Sequence, residues 1–185
     1  MFRRSLLVAL LLALAACQAP PLQRDFDASR DFAAYRDWAW REPALQYRPD
    51  DPRLKSDLTE QRVREAIAEQ LEQRGLRPAR EPAAAQLQVQ AWYIVDQRSQ
   101  TVTTYSGGAW MGYWPGFWGG PAYADSRTLD YQVATLQIDL FDGRDGKLVW
   151  RGSTEDILRR EGDPAARAQR IRQAVARVLA QYPPH

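Results

Sequence analysis

Alternation of apolar and polar residues predicts four strands in this chain. The clearest case is residues 136–140, where Leu136, Ile138 and Leu140 alternate with polar residues and so share one face. Trp38 and Trp40 share one face of a shorter strand in the same way. The predicted strands are 37–41, 87–95 with a continuation through the threonine-rich residues 101–105, 127–142, and 147–152. The sequence Asp142-Gly143-Arg144-Asp145-Gly146 predicts a tight hairpin turn between the last two.

Apolar residues recur at helical spacing in two segments. The first follows Asp57-Leu58-Thr59-Glu60, which has the form of a capping box, and ends at Gly75. The second begins with Asp163 as the capping residue and Pro164 at the first helical position. The apolar stripes consist of Val63, Ala66, Ile67 and Leu71 in the first helix, and of Ala168, Ile171, Val175, Val178, Leu179 and Tyr182 in the second.

The resulting order is strand, helix, strand, strand, strand, helix. Hairpin connections predict an antiparallel sheet of about four strands, and two one-sided helices predict that both cover one face of it. The sequence thus predicts an α+β two-layer sandwich in a single domain, residues 31–184. Residues 42–55 contain Pro43, Pro49 and Pro52 and are expected to form a loop.

The N-terminal residues indicate export. Arg3 and Arg4 precede a short apolar run that ends in Leu14-Ala15-Ala16-Cys17, and residues 1–16 have the layout of a signal peptide. The run is shorter than the roughly 20 residues that a membrane-spanning helix needs. Leu-Ala-Ala-Cys resembles the bacterial lipobox. That resemblance implies a diacylglycerol and an N-acyl chain such as palmitate on Cys17, with residues 17–30 (18–25 above all) as a tether. Gln18 in place of aspartate implies transfer to the outer membrane, facing the periplasm.

Charge and composition exclude several function classes. Removing residues 1–16 takes away Arg3, Arg4 and no acid, which leaves the remaining chain formally neutral, so nothing favours nucleic acid as a partner. Cys17 is the only cysteine and His185, at the very end, the only histidine, so we expect no metal site, no cofactor besides the lipid, and no nucleophile–histidine machinery. The one enzymatic alternative is a glycan-directed hydrolase using Asp139 and Asp142 as paired carboxylates.

A segment of glycine and aromatic residues interrupts this pattern. Residues 105–123 contain no charged side chain, and they combine six glycines with a third of the chain's aromatic residues. A connection of that length is usually functional or disordered. Three destinations for its rings remain open: the protein's own sheet, a partner protein or glycan, or the lipid interface, where indole rings prefer to lie. The candidate binding residues are Trp110, Tyr113, Trp114, Phe117, Trp118 and Tyr123.

Several motifs in order resemble the DUF4136 lipoproteins. They begin with Asp31-Phe32-x-x-Tyr35-x-x-Trp38-Ala39-Trp40 and continue with the helix over 62–75. Ala85-x-Leu87-x-Val89 is similar to the family's strand start, with Gln86 where aspartate is usual. The glycine-aromatic insert, the hairpin over 136–152 and the final helix ending Tyr182-Pro183-Pro184 complete a resemblance over residues 25–184. It implies an envelope lipoprotein with no assigned activity and no catalytic residues to transfer.

Together these observations predict a non-enzymatic lipoprotein of the outer membrane. We expect it to act as a binding or structural accessory module of the cell envelope, with an envelope protein or a glycan as its partner and the membrane reached through the lipid anchor. A membrane-interface element built from the tryptophan-rich insert, and the hydrolase named above, are the alternatives.

Overall fold

The structure, a computed structural model, describes residues 22–106, 123–157 and 163–184. These residues form six strands and two α-helices in an α+β arrangement. Two short 3₁₀ turns, Phe32–Ala34 and Pro82–Ala84, lie between them. The strands are β1 (Leu22–Phe26), β2 (Asp37–Arg48), β3 (Arg77–Pro78), β4 (Leu87–Ser106), β5 (Tyr123–Asp142) and β6 (Leu148–Ile157); the helices are α1 (Asp57–Gln73) and α2 (Pro164–Leu179).

The strands form one mixed sheet in the order β1-β6-β5-β4-β2-β3. The pairs β1–β6, β6–β5 and β5–β4 are antiparallel, whereas β2 pairs in parallel with both β4 and β3. The expectation of about four antiparallel strands is therefore wrong, although the α+β class is right. Leaving β2, the chain passes through α1 before it reaches the sheet again, and such a crossover permits parallel pairing.

Two strands formed where the sequence gives no alternation signal. The prediction of a tether over residues 18–25 is wrong from Leu22 onward, because Leu22–Phe26 pairs along the free edge of β6. The predicted loop over 42–55 is wrong up to Arg48, since β2 continues past an irregularity between Trp40 and Leu45. The side chains of residues 22–25 are exposed, so backbone pairing with β6 holds that segment. Residues 41–43 are also exposed and lie within the irregularity, where Gln90 Nε2 donates to the Pro43 carbonyl at 3.0 Å and the Arg41 guanidinium lies over the Phe141 ring.

Both helices begin and end as local chemistry dictates. Ser56 caps α1 by accepting a hydrogen bond from the amide of Thr59, so the cap lies one residue before the predicted Asp57. Gly75, at φ +85°, ends the helix in a left-handed conformation that glycine adopts without strain. Asp163 caps α2 through the amide of Ala166, with Pro164 following it as expected.

The core lies between the two helices and one face of the sheet. Apolar residues of α1 and α2 pack on the inward side chains of β4, β5 and β6. Trp150 is fully buried there, and its ring occupies the space left by Gly152, where a Cβ would lie 2.4 Å from the ring. The fully buried aliphatic residues include Ile67, Leu71, Leu87, Ile138, Leu140, Val175 and Leu179.

Candidate functional site

Asp142 lies at the end of β5 in a network that joins two separate parts of the chain. Its carboxylate accepts hydrogen bonds from the Tyr35 hydroxyl (2.8 Å), from Arg30 Nη1 (3.1 Å) and from the backbone amide of Arg144 (2.7 Å). Arg30 also pairs with Asp145 at 2.6 Å. Burial alone would raise the pKa of Asp142, but the Arg144 amide and the Tyr35 hydroxyl outweigh it and the pKa lies below its usual value. This network fastens the segment after β1 to the β5–β6 turn.

Asp139 lies three residues earlier on β5 and is 1% exposed. Arg151, on the neighbouring strand β6, donates two hydrogen bonds to it, from Nε and Nη2, both 2.7 Å long. Gln137 Nε2 lies 3.1 Å from each carboxylate oxygen. This is the bidentate geometry of an arginine–carboxylate pair, and it holds β5 and β6 together on the face away from the helices.

The two carboxylates therefore do not form a pair. Residues three apart on a strand point to opposite faces, which puts Asp139 on the side of Arg151 and Asp142 on the side of Tyr35. Each carboxylate is occupied by an arginine and by at least one further donor. Hydrolysis by paired carboxylates requires the two carboxyl groups to flank the same glycosidic bond. Asp139 and Asp142 lie on opposite faces of the strand and do not meet that requirement.

The most distinctive surface of the described chain is a two-stranded ribbon made by the far ends of β4 and β5. The last pair between β2 and β4 is Arg48–Ile94, and the last between β5 and β6 is Val133–Ile157. Beyond these, β4 and β5 pair only with each other over ten further pairs, from Gln97–Gln132 to Ser106–Tyr123. The ribbon is thus about 30 Å long, at about 3.4 Å per residue.

The two faces of the ribbon differ in character. The face continuous with the helix-covered side carries small polar residues, and there the hydroxyls of Thr103 and Ser126 lie 2.9 Å apart. The other face carries Val102, half-buried Tyr131 and Leu129, which is 44% exposed. Arg98 at the base of that face pairs with Glu155 of β6 at 2.8 Å. The ribbon offers both a hydroxyl-rich and a partly apolar surface, together with two backbone edges that no other described strand pairs with.

The predicted aromatic residues belong to the connection between the two ribbon strands. Tyr123 is the first residue of β5. Trp110, Tyr113, Trp114, Phe117 and Trp118 lie outside the described residues, as does Cys17. Residues 107–122 connect the far ends of β4 and β5, so the chain passes from the ribbon into this segment and back.

Comparison of this chain with models of known protein families identifies the family to which it belongs. A family model described as "Domain of unknown function (DUF4136)" matches residues 22–184. The chain belongs to the DUF4136 family. The resemblance drawn from the motifs is thereby confirmed. The match begins at the first residue of β1, so β1 belongs to the region that the DUF4136 model covers.

Solved structures share the DUF4136 fold at low sequence identity. A DUF4136 family protein from Bacteroides thetaiotaomicron is 17% identical with a TM-score of 0.53, over 90% of this chain and 97% of that one. A PDZ domain protein from Parabacteroides distasonis is 16% identical with a TM-score of 0.55. The match covers 90% of this chain but only 36% of that protein. A search of curated proteins found no match. These likenesses concern the fold alone.

Two further observations apply to the described part of this DUF4136 chain. None of its helices combines the length and the apolar character needed to span a bilayer. Its histidine, cysteine and acidic residues nowhere gather in a group of three that a metal ion would require, and the acids around Asp142 surround Arg30 instead.

The sequence had not predicted that the ribbon would extend so far beyond its neighbouring strands. The threonine-rich residues 101–105 and the long strand predicted over 127–142 indicated that strands form here, but nothing in the sequence indicated that they extend beyond their neighbours.

Proposed function

We propose that this chain is a non-enzymatic module of the cell envelope that binds a partner or supports an assembly, held at the outer membrane by lipid on Cys17. The observation that carries the proposal is the ribbon formed by residues 97–106 and 123–132. Ten strand pairs extend past every other element of the described fold, and most of their side chains are exposed. An isolated two-stranded ribbon is only marginally stable in water, so a partner that covers it would stabilise it.

The chemistry of the ribbon fits a protein or glycan partner. Neither edge pairs with another described strand, so each can accept a further strand, which is a common mode of peptide recognition. Leu129 and Val102 add apolar contact area on one face. The connected segment 107–122 contributes Trp110, Trp114 and Trp118, and tryptophan is enriched among the residues that dominate interface energies.

The position of the anchor supports a partner near the membrane. Four residues lie between Cys17 and Leu22, so five steps of at most about 3.6 Å keep Cys17 within about 18 Å of the start of β1. Leu22 is opposite Thr154 of β6, which is in turn opposite Leu136 of β5. Leu136 is four residues from Gln132 at the ribbon's base. Leu22, the described residue nearest to Cys17, and the base of the ribbon therefore lie at the same end of the sheet, which supports a partner near the membrane.

Site-directed photocrosslinking in the intact envelope tests the proposal. The photoreactive residue p-benzoylphenylalanine replaces Leu129 in the ribbon, and the matched control replaces Leu58 of α1, which is 61% exposed and lies outside the ribbon. We expect a discrete adduct from position 129 and none from position 58. The same adduct should weaken when residues 107–120 are exchanged for a Gly-Ser segment of equal length. Equal labelling at both positions, or only diffuse labelling, would contradict the proposal.

Two companion measurements separate the alternatives. If the tryptophan-rich segment enters lipid, a Cys17→Ala chain without acyl groups will show blue-shifted tryptophan fluorescence with liposomes, and the Gly-Ser exchange will remove the shift. If the chain hydrolyses glycan, purified peptidoglycan will release soluble fragments in a manner lost in Asp139→Asn. For the anchor, we expect Cys17→Ala to move the chain from the membrane fraction to the soluble periplasmic fraction.

A further inference from the structure

A cleft opens on the helix-covered side of the sheet, apart from the ribbon. It lies between the N-terminal halves of α1 and α2 and has a volume of about 140 Å³. Its floor and walls are mainly apolar, formed by Val63 of α1, Leu136 of β5, and Ile171 and Ala174 of α2. A cavity of about 150 Å³ is large enough to hold a benzene ring, so this cleft has room for one ring or a short alkyl chain.

Thr154 gives the cleft a polar group that no described residue pairs with. The residue lies on β6 and is only 2% exposed, yet its hydroxyl has no hydrogen-bond partner among the described residues. Buried hydroxyls are normally paired, and an exception calls for an explanation. Because Thr154 also lines the cleft, a bound molecule with a polar atom supplies the missing partner.

Two arginines of α2 stand at the same cleft. Arg167 and Arg170 are three residues apart, share one helix face and both line the opening. Neither forms an ion pair within the described chain, and among the described residues that line the cleft Asp156 is the one acid. Burial raises the pKa of Tyr93 on the cleft floor, while the positive charges of Arg167 and Arg170 oppose that rise, which places both charges near the cleft. The two arginines and Asp156 together give the lining of the cleft opening a net positive charge.

We propose that this cleft binds a small organic carboxylate whose apolar body is the size of a phenyl ring or a short alkyl chain. The apolar body occupies the space beside Val63 and Ile171. The carboxylate meets Arg170 and Arg167 at the opening and accepts a hydrogen bond from the Thr154 hydroxyl. The proposal does not depend on the ribbon, which lies beyond the helices.

Ligand-observed saturation-transfer NMR tests it with the full chain in lipid nanodiscs and with empty nanodiscs as the blank. Benzoate and hexanoate are the carboxylate probes; benzyl alcohol and benzylamine are the neutral and cationic controls of matched size. We expect benzoate and hexanoate to saturate with a dissociation constant of about 0.1–1 mM, as is usual for ligands this small. Benzyl alcohol should bind about 10-fold more weakly and benzylamine more weakly still. Palmitate, whose chain exceeds the cleft, should not displace benzoate specifically.

Matched variants tie the binding to the cleft. Arg170→Gln should weaken benzoate about 10-fold and leave benzyl alcohol unchanged, whereas Arg172→Gln, two residues along the helix and bonded to Gln169, should change neither. Thr154→Val keeps the shape of the side chain and should weaken benzoate several-fold. The proposal is overturned if benzylamine binds as tightly as benzoate, if no probe saturates, or if Arg170→Gln and Arg172→Gln behave alike.

Discussion

The buried carboxylate of Asp139 offers the sharpest test of whether this residue is structural. Asp139→Asn keeps the shape of the side chain but removes its charge and turns one acceptor into an NH₂ donor. In the structure both oxygens face donors: Arg151 Nε and Nη2 at 2.7 Å, and Gln137 Nε2 at 3.1 Å. The new NH₂ therefore meets only donors at its present contacts, and it gains an acceptor in this cluster only if the Gln137 amide turns to present its Oε1.

The magnitude follows from those contacts. A hydrogen bond to a charged group contributes about 1.5–3 kcal/mol, and a buried donor left without an acceptor costs about 1–3 kcal/mol. Arg151 is 44% exposed, so water solvates the freed guanidinium and reduces the loss. We expect Asp139→Asn to lower the free energy of unfolding by about 2–4 kcal/mol.

Replacing both partners of the ion pair separates the pair from simple packing. Arg151→Met alone leaves a buried carboxylate with Gln137 as its one remaining side-chain partner among the described residues, and should cost about 3 kcal/mol or more. The double variant Asp139→Leu with Arg151→Met replaces the pair by apolar side chains of similar size. It should return to within about 1 kcal/mol of the original chain, because replacing both partners removes the unpaired charge.

Urea unfolding followed by tryptophan fluorescence and far-ultraviolet circular dichroism measures each free energy, on chains that carry Cys17→Ala so that no lipid is attached. The reasoning fails if Asp139→Asn unfolds within about 0.5 kcal/mol of the original chain, the range typical of surface substitutions. It also fails if the double variant is less stable than Arg151→Met alone.

Three further predictions concern packing, pH and the cleft. Gly152→Ala should destabilise the chain by about 1–3 kcal/mol, since the new Cβ would lie 2.4 Å from the buried Trp150 ring; unchanged urea unfolding would refute this. Burial and the hydrogen bond to Asp142 raise the pKa of Tyr35 to about 12, so its contribution is present below pH 10 and lost as pH rises toward 12. The stability difference between the original chain and Tyr35→Phe should therefore shrink over that range, and a constant difference would contradict it. Thr154→Val should raise the thermal midpoint through a gain of about 1 kcal/mol, because an unpaired buried hydroxyl is removed; a lower midpoint would show that the hydroxyl is satisfied.

The candidate site was only partly predictable. The motif order placed the chain in its family, and the composition of residues 105–123 drew attention to the connection between β4 and β5. The ribbon that carries this connection was not predicted as an isolated element, because alternation shows that a strand exists and not where its neighbours stop. The cleft was also missed, since Val63, Thr154 and Arg170 come from three distant segments.

Local chemistry along the chain was enough to determine both helices and the β5–β6 hairpin. The capping of α2 by Asp163, the left-handed turn at Gly75 and the alternation through Leu136, Ile138 and Leu140 depend on neighbours within a few residues, so they are visible in the sequence.

The pairing of the edge strands was decided only by the tertiary structure. Leu22–Phe26 became β1 because β6 offered a free backbone edge, and β2 joined β4 in parallel because α1 carried the chain across the sheet. Backbone hydrogen bonds are the same for every residue other than proline, so pairing of this kind leaves no pattern in the side chains. The long-range contacts around Asp139, Asp142 and the cleft likewise exist only after the strands have taken their order.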